Sequence, residues 1–451
     1  MARKGRNVVI LILTDMDDDD FDIIVDNIEF KDNILFVCDR PYSGPGRKPA
    51  LNLIVDSLAK PSSLIQKIKN WGARHKKRFS AIIGLDEEYR YHISAEIARE
   101  LGLRFYPHST LHLGSNKYLQ KLALSNACIG VPDFQLVGPD TLRFRIDYPN
   151  VLKLMTGVGS AHLHLNRNLK ELKANLRLMD SELKKEASNP ILKRYMAGEE
   201  SIDPTSDFML EGYLKGNEYS CDYIVEEDKS EAGGKGRPRK NGNAAGHGNV
   251  RARVLRVVRK LDEKGDFGYF AGFYLFNPDT DKGSEFRLGG KDGLEEFCTN
   301  IAQALNIRFG VCMLDFKFHN GKFYVIETTL RPGVATFVEL MAKQYGYITL
   351  SQCIRQRLGL PTAKGLPGNG KGGLVAYLNA PEKGTITKID LSYIANNMEN
   401  LGILRLHKYC EEGESCINVA YVLATASGLK EAMQKFRLIR SKSVIKVCKS
   451  I

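Results

Sequence analysis

The chain has 451 residues, 43% of them hydrophobic, with a formal net charge of +12 from 65 Lys and Arg against 53 Asp and Glu. That length and apolar content build a sizeable core over roughly two to four domains and exclude a disordered chain. The longest early apolar run, VVILIL at residues 8 to 13, is too short for a membrane span. The acidic residues Asp17 to Asp20 that follow it are foreign to a secretory signal, so a cytoplasmic protein with no membrane partner is expected.

In chain order, VVILIL, NILFVCD and FSAIIGL read as short buried strands, with LIQKIKNWGARH and YRYHISAEIARELGL as amphipathic helices. This rhythm predicts a parallel α/β domain over residues 1–110. Asp15 and Asp17 to Asp20 are expected to form a solvated, helix-capping turn after the first strand. SNKYLQKLALSNACIG predicts a helix capped by Ser115 or Asn116 and ended at Gly130. DYPNVLKLMTGVGSAHLHLN predicts a strand carrying Lys153 that runs into a loop with Gly157 and Gly159, where backbone amides can approach a phosphate. It is not a Walker loop, because GxxxxGK[ST] is absent. His162 and His164 on alternate positions of that stretch read as structural.

The helix NLKELKANLRLMDSEL follows, then two strands in FMLEGYLKGNEYSCDYIV. The segment from Lys229 to Arg253 contains GGKGRPRKNGNAAGHGN, which cannot build a core. It holds part of the positive excess and has no aromatic platform, so nucleic acid is not expected as a partner. Strands VRARVLRVVRKL and FGYFAGFYLF, the helix GLEEFCTNIAQALNI, a hairpin, the helix VATFVELMAKQYG and, from about residue 370, a strand, helix and strand around a separate small core complete the reading. The nine cysteines form no CxxC pair, so reduced thiols are expected, with Cys128 and Cys312 buried in packing.

The hairpin, VCMLDFKFHNGKFYVIETTLRPG, holds the most chemistry. Glu327, Thr329 and Arg331 alternate onto one side of its second strand. A two-residue Asn320-Gly321 turn would pair position 315 with 326 and put Asp315 and Glu327 on opposite faces. A three-residue His319-Asn320-Gly321 turn, the favoured expectation, pairs Phe318 with Lys322 and puts both carboxylates on one face. Locally only Lys317 and Arg331 balance those charges. A divalent ion, Mg²⁺ or Mn²⁺, would relieve the repulsion, with water and phosphate oxygens completing its shell; the other reading is an ordinary hairpin with a solvated polar face.

In order and motif these segments resemble the ATP-grasp superfamily, in particular carboxylate-amine ligases such as L-amino acid ligases, over nearly the whole chain. The strongest likeness is DFKF…VIETTLRPG, where an acidic residue is followed by a Glu twelve positions on and an Arg four later. The resemblance implies an ATP-grasp domain over 111–370, with a lid at 142–212 and a basic loop at 228–250. It further implies an N-terminal α/β domain and a small α+β closing domain over 371–451. Asp315, Glu327 and Thr329 match the metal positions, with Asp in place of the more usual Glu and Thr in place of Asn. Lys117 and Lys153 match the phosphate-binding lysines, with Gly157 and Gly159 in the flap. Glu211, Gly212, Tyr213 and Leu214 match the adenine hinge, and Glu218 the ribose contact.

Arg331 and Lys153 carry the catalytic expectation: a substrate carboxylate is activated by ATP as an acylphosphate and captured by an amine, both small molecules. Relatives with this closing domain include homodimers. The ExxRxQVEH stretch of biotin carboxylases is missing, and no internal repeat of the carbamoyl-phosphate synthase kind is present. An alternative of another class is a nucleotide-binding regulatory or nucleic-acid-associated protein without turnover, with the basic loop as its working surface.

Overall fold

Strand β1 (Val8–Leu13) is apolar throughout because it lies inside a parallel sheet covered on both faces. Its neighbours are β2 (Ile34–Cys38) and β4 (Arg78–Gly84), and β3 (Leu51–Ile54) closes the order β3-β2-β1-β4. Val9, Leu11 and Leu13 pack with Leu64 and Ile68 of helix α2 (Pro61–His75) and with Ile93 and Ile97 of α3 (Tyr89–Leu101). Ile10 and Ile12 face the other way, onto α1 (Asp18–Asn27) and the later helices Phe337–Tyr345 and Thr349–Arg357. This computed structural model describes residues 8–14, 18–39, 41, 51–55, 58, 60–85, 89–156, 162–186, 206–227, 250–262, 270–279, 290–333, 336–366, 372–382, 384–416 and 418–448.

Helices α4 (His108–Ser115) and α5 (Lys117–Asn126) lead from this layer to a small antiparallel sheet. Asn116 caps α5 by accepting hydrogen bonds from the amides of Tyr118 and Leu119, which selects between the two expected capping residues. The small sheet has the order β5-β8-β6-β7, from β5 (Phe134–Val137), β6 (Asn150–Leu154), β7 (His164–Asn166) and β8 (Phe208–Gly212). Its apolar face packs on Leu172, Leu176 and Met179 of α6 (Leu169–Glu186).

An eight-stranded antiparallel sheet forms the rest of the frame. Its first five strands in spatial order are β13 (Lys322–Thr329), β12 (Gly310–His319), β9 (Glu218–Glu227), β10 (Val250–Asp262) and β11 (Phe270–Leu275). It continues through β14 (Gly372–Asn379), β17 (Asn418–Ala426) and β16 (Ile403–Lys408). Strand β14 pairs directly with β11, and Leu374, Ala376 and Val422 share one apolar cluster with Tyr219 and Leu314. The segment after residue 370 therefore joins the large core through β14 and β17, and also builds a small cluster of its own from Ile386, Cys410 and Val419. The remaining strands, β15 (Thr385–Asp390) and β18 (Val444–Cys448), form a separate two-stranded pair.

Two cysteine expectations need correction. Cys410 and Cys416 are joined by a disulfide across the connection between β16 and β17, in place of the expected reduced thiols. Cys312 is buried as expected, but Cys128 is exposed, because the chain turns at that residue with φ of 58° just past α5. It lines a cavity of about 680 Å³ between the hairpin, the turn that follows α5 and the helix Gly290–Ala304. No helix among the described residues is long and apolar enough to cross a membrane.

Candidate active site

The β12-β13 hairpin closes through a two-residue Asn320-Gly321 turn, with φ of 49° and 75°, and His319 pairs with Lys322. The expected three-residue turn is thus wrong: Asn-Gly satisfies both left-handed positions of a tight hairpin. The two carboxylates nevertheless share a face. A bulge between Asp315 and Phe316 on one strand and around Ile326 on the other shifts the register, so that Asp315 lies directly opposite Glu327. Each residue to one side of a bulge gains one position on its partner, and here that single step replaces the pairing with 326 by the pairing with 327.

The carboxylates are met by lysines from other elements. Lys117, at the first turn of α5, reaches Glu327 Oε1 at 3.1 Å. Lys260, two strands away on β10, donates to Asp315 Oδ2 and to Glu218 Oε1, both at 2.7 Å. Burial lowers the Lys260 pKa, but Asp315 and Glu218 outweigh it and hold the ammonium above the ordinary lysine range. Lys317 donates to the Leu214 carbonyl at 2.9 Å and lies 5.1 Å from the Tyr213 ring, tying the segment after β8 to β12.

Lys153 on β6 meets Glu211 on β8 at 2.6 Å. The other Glu211 oxygen meets Lys121 at 3.1 Å, and Lys121 also donates to the Val325 carbonyl on β13. Glu211 therefore turns its side chain inward, between two ammonium groups, and leaves Gly212, Tyr213 and Leu214 as the exit from the small sheet. The amides of Gly212 and Tyr213 are fixed by the carbonyls of Asp133 and Pro149. Burial raises the Glu211 pKa, while Lys121 and Lys153 outweigh it and leave the carboxyl below its usual range. Burial lowers the Lys121 pKa to about 8, against the pull of Glu211.

Arg331 lies just past β13, its guanidinium donating to the Pro332 carbonyl. The next residues are held from below. Arg256 on β10 makes a bidentate pair with Asp222 on β9, at 2.9 and 2.8 Å, and neither side chain has exposed surface. Asp222 Oδ1 also accepts from the Gly333 amide at 2.9 Å. A Cβ on Gly333 would stand 2.7 Å from Arg256 Nη2, so the backbone needs glycine to approach the pair. Gly333→Ala is expected to cost about 1–3 kcal/mol through overpacking, seen as a lower Tm with unchanged secondary structure.

The donor set fits a hard divalent ion. Asp315 Oδ1 and Thr329 Oγ1 are buried and have no hydrogen-bond partner among the described residues, beside a second carboxylate on the same face. No group of three or more His, Cys, Asp or Glu among the described residues makes a protein cage. One or two carboxylates, completed by water and phosphate oxygens, is the Mg²⁺ pattern. Gly157, Gly159 and residues 228–249 of the basic loop lie outside the described residues. His162 Nδ1 lies 2.7 Å from Glu182 of α6.

The sequence reading missed Lys121, Lys260, Asp222 and Arg256. Lys121 had a signal, since it lies one helical turn from Lys117. Arg256 and Lys260 in RVVRK resemble a solvated strand edge until β9 and β11 cover that strand.

This architecture recurs among solved structures. The L-amino acid ligase from Bacillus licheniformis superposes with a TM-score of 0.71 at 16% identity, covering 98% of this chain and 100% of that one. The chain has the ATP-grasp fold. N5-carboxyaminoimidazole synthetase from Staphylococcus aureus, solved with ADP, gives a TM-score of 0.62 at 14% identity, covering 96% of this chain and 97% of that one. Biotin carboxylase from Campylobacter jejuni, solved as a β,γ-ATP complex, gives 0.60 at 15% identity, covering 98% and 92%. No family model matches the sequence, and no curated protein matches it. The ATP-grasp fold thus carries, in this chain, a hairpin whose two carboxylates are already paired to lysines from α5 and β10.

Proposed function

We propose that this chain is an ATP-dependent carboxylate-amine ligase that couples an acid to an amine, both amino acid or peptide-like small molecules, with release of ADP and phosphate. The observation that carries the reading is the register-shifted pair Asp315 and Glu327, met by Lys260 and Lys117, with Lys153 held by Glu211 on the small sheet. A Mg²⁺ ion held by Asp315 and Glu327, beside Thr329, would supply positive charge to the phosphate oxygens. Lys117 and Lys153 neutralise the remaining phosphate charge and hold the chain in line. A carboxylate oxygen of the acid then bonds the γ-phosphorus as the bond to the ADP oxygen breaks. Arg331 holds the acylphosphate oxyanion while the amine adds to the carbonyl carbon, phosphate leaves with the bonding pair, and the nitrogen gives up its proton to the departing phosphate.

Phosphate release from Mg·ATP across a panel of amino acids and small carboxylic acids, alone and in pairs, tests this reading. Release that requires a pair supports it, and bound ATP with silence across the panel counts against it. The same assay carries a pH prediction. Above pH of about 8 Lys121 loses its proton and Glu211 loses one of its two partners. Turnover is expected to fall through that pH, and Lys121→Arg, which stays charged, is expected to move the alkaline limb upward. The sign for stability is opposite. The folded pKa lies below the ordinary 10.5, so the cost of burying this ammonium is fully present below pH of about 8 and is relieved as pH rises toward 10.5.

A further inference from the structure

Lys260 occupies an unusual place for a lysine. Its ammonium is buried between Glu218 and Asp315, 2.7 Å from each, and the Phe270 ring lies 4.5 Å away. Asp315 commits Oδ2 to Lys260 and Glu327 commits Oε1 to Lys117. The third position of the row, Thr329, offers a neutral hydroxyl. The donors left for metal are enough for one ion completed by phosphate and water, and too few in number and charge for two.

Charge leads to the same count. Six cations, Lys117, Lys121, Lys153, Lys260, Lys317 and Arg331, stand against four carboxylates, Glu211, Glu218, Asp315 and Glu327, leaving two positive charges among the described residues. A fully ionised nucleoside triphosphate carries about four negative charges, so one divalent ion completes neutrality and a second overshoots it.

We propose that Lys260 is the built-in second cation of this site: its ammonium takes the charge position of a second divalent ion, so that the nucleotide is taken up with a single one. The proposal rests on the ATP reading above. It also assigns Lys260 a positioning role, because one ammonium fixes the carboxylate expected at the ribose and the carboxylate expected at the metal.

The test is Mn²⁺ binding to the full chain, followed by the loss of the free-ion EPR signal at saturating AMP-PNP. One Mn²⁺ per bound nucleotide is expected for the wild type and for Lys260→Arg, and two for Lys260→Met. Two ions in the wild type, or one in a Lys260→Met variant with native circular dichroism, would overturn the proposal. Should Lys260→Met not fold, the wild-type count decides alone. Absence of any nucleotide-dependent Mn²⁺ uptake would overturn the ATP reading together with this one.

Discussion

Glu327→Gln is expected to lower ATP-dependent phosphate release by about 10³, while the fold stays intact. The substitution keeps the shape and a hydrogen-bonding oxygen but removes the charge that faces Asp315 and pairs with Lys117. Charge stabilisation by a bound metal is worth several kcal/mol in a phosphoryl-transfer transition state, and about 1.4 kcal/mol is tenfold in rate. Asp315→Asn is expected to fall less, because Lys260 already shares that carboxylate with Glu218. The ranking is checked by kcat/KM for Mg·ATP in the two variants. A Glu327→Gln enzyme within tenfold of wild type would remove this hairpin from the chemistry.

How much of the site can be read from the sequence depends on the range of the contact. VVILIL betrays a doubly covered parallel strand because nothing but apolar residues survives there. Asp315, Glu327 and Thr329 are legible because a hairpin fixes their relation within a few residues. Even so the right face follows from the wrong turn: the alternation of polar residues on β13 reports the outcome of the bulge without revealing the bulge itself. Lys117 and Lys153 were found by their place in the family pattern, and their partners Glu327 and Glu211 come from other elements. Lys260 meets Asp315 across 55 residues and Lys121 meets Val325 across 204, distances at which local periodicity carries no information. The same holds for the disulfide, since two cysteines six apart are as compatible with a free loop as with a closed one.

The buried Arg256–Asp222 pair should give the largest change in stability. Asp222→Ala leaves a guanidinium with no exposed surface and no compensating carboxylate, and is expected to destabilise the fold by about 3–5 kcal/mol in urea titration. Replacing both residues, as Asp222→Leu with Arg256→Met, removes the charges together and is expected to recover most of that loss, because apolar side chains of similar volume fill such sites well. Turnover separates structure from function. The Gly333 amide loses its acceptor in the double variant as surely as in the single one, and the segment carrying Arg331 loses its anchor on the sheet. Stability regained with turnover still depressed at least tenfold would mean that the pair is kept to place Arg331 for the proposed reaction. Recovery of both would make it an ionic core with no bearing on catalysis.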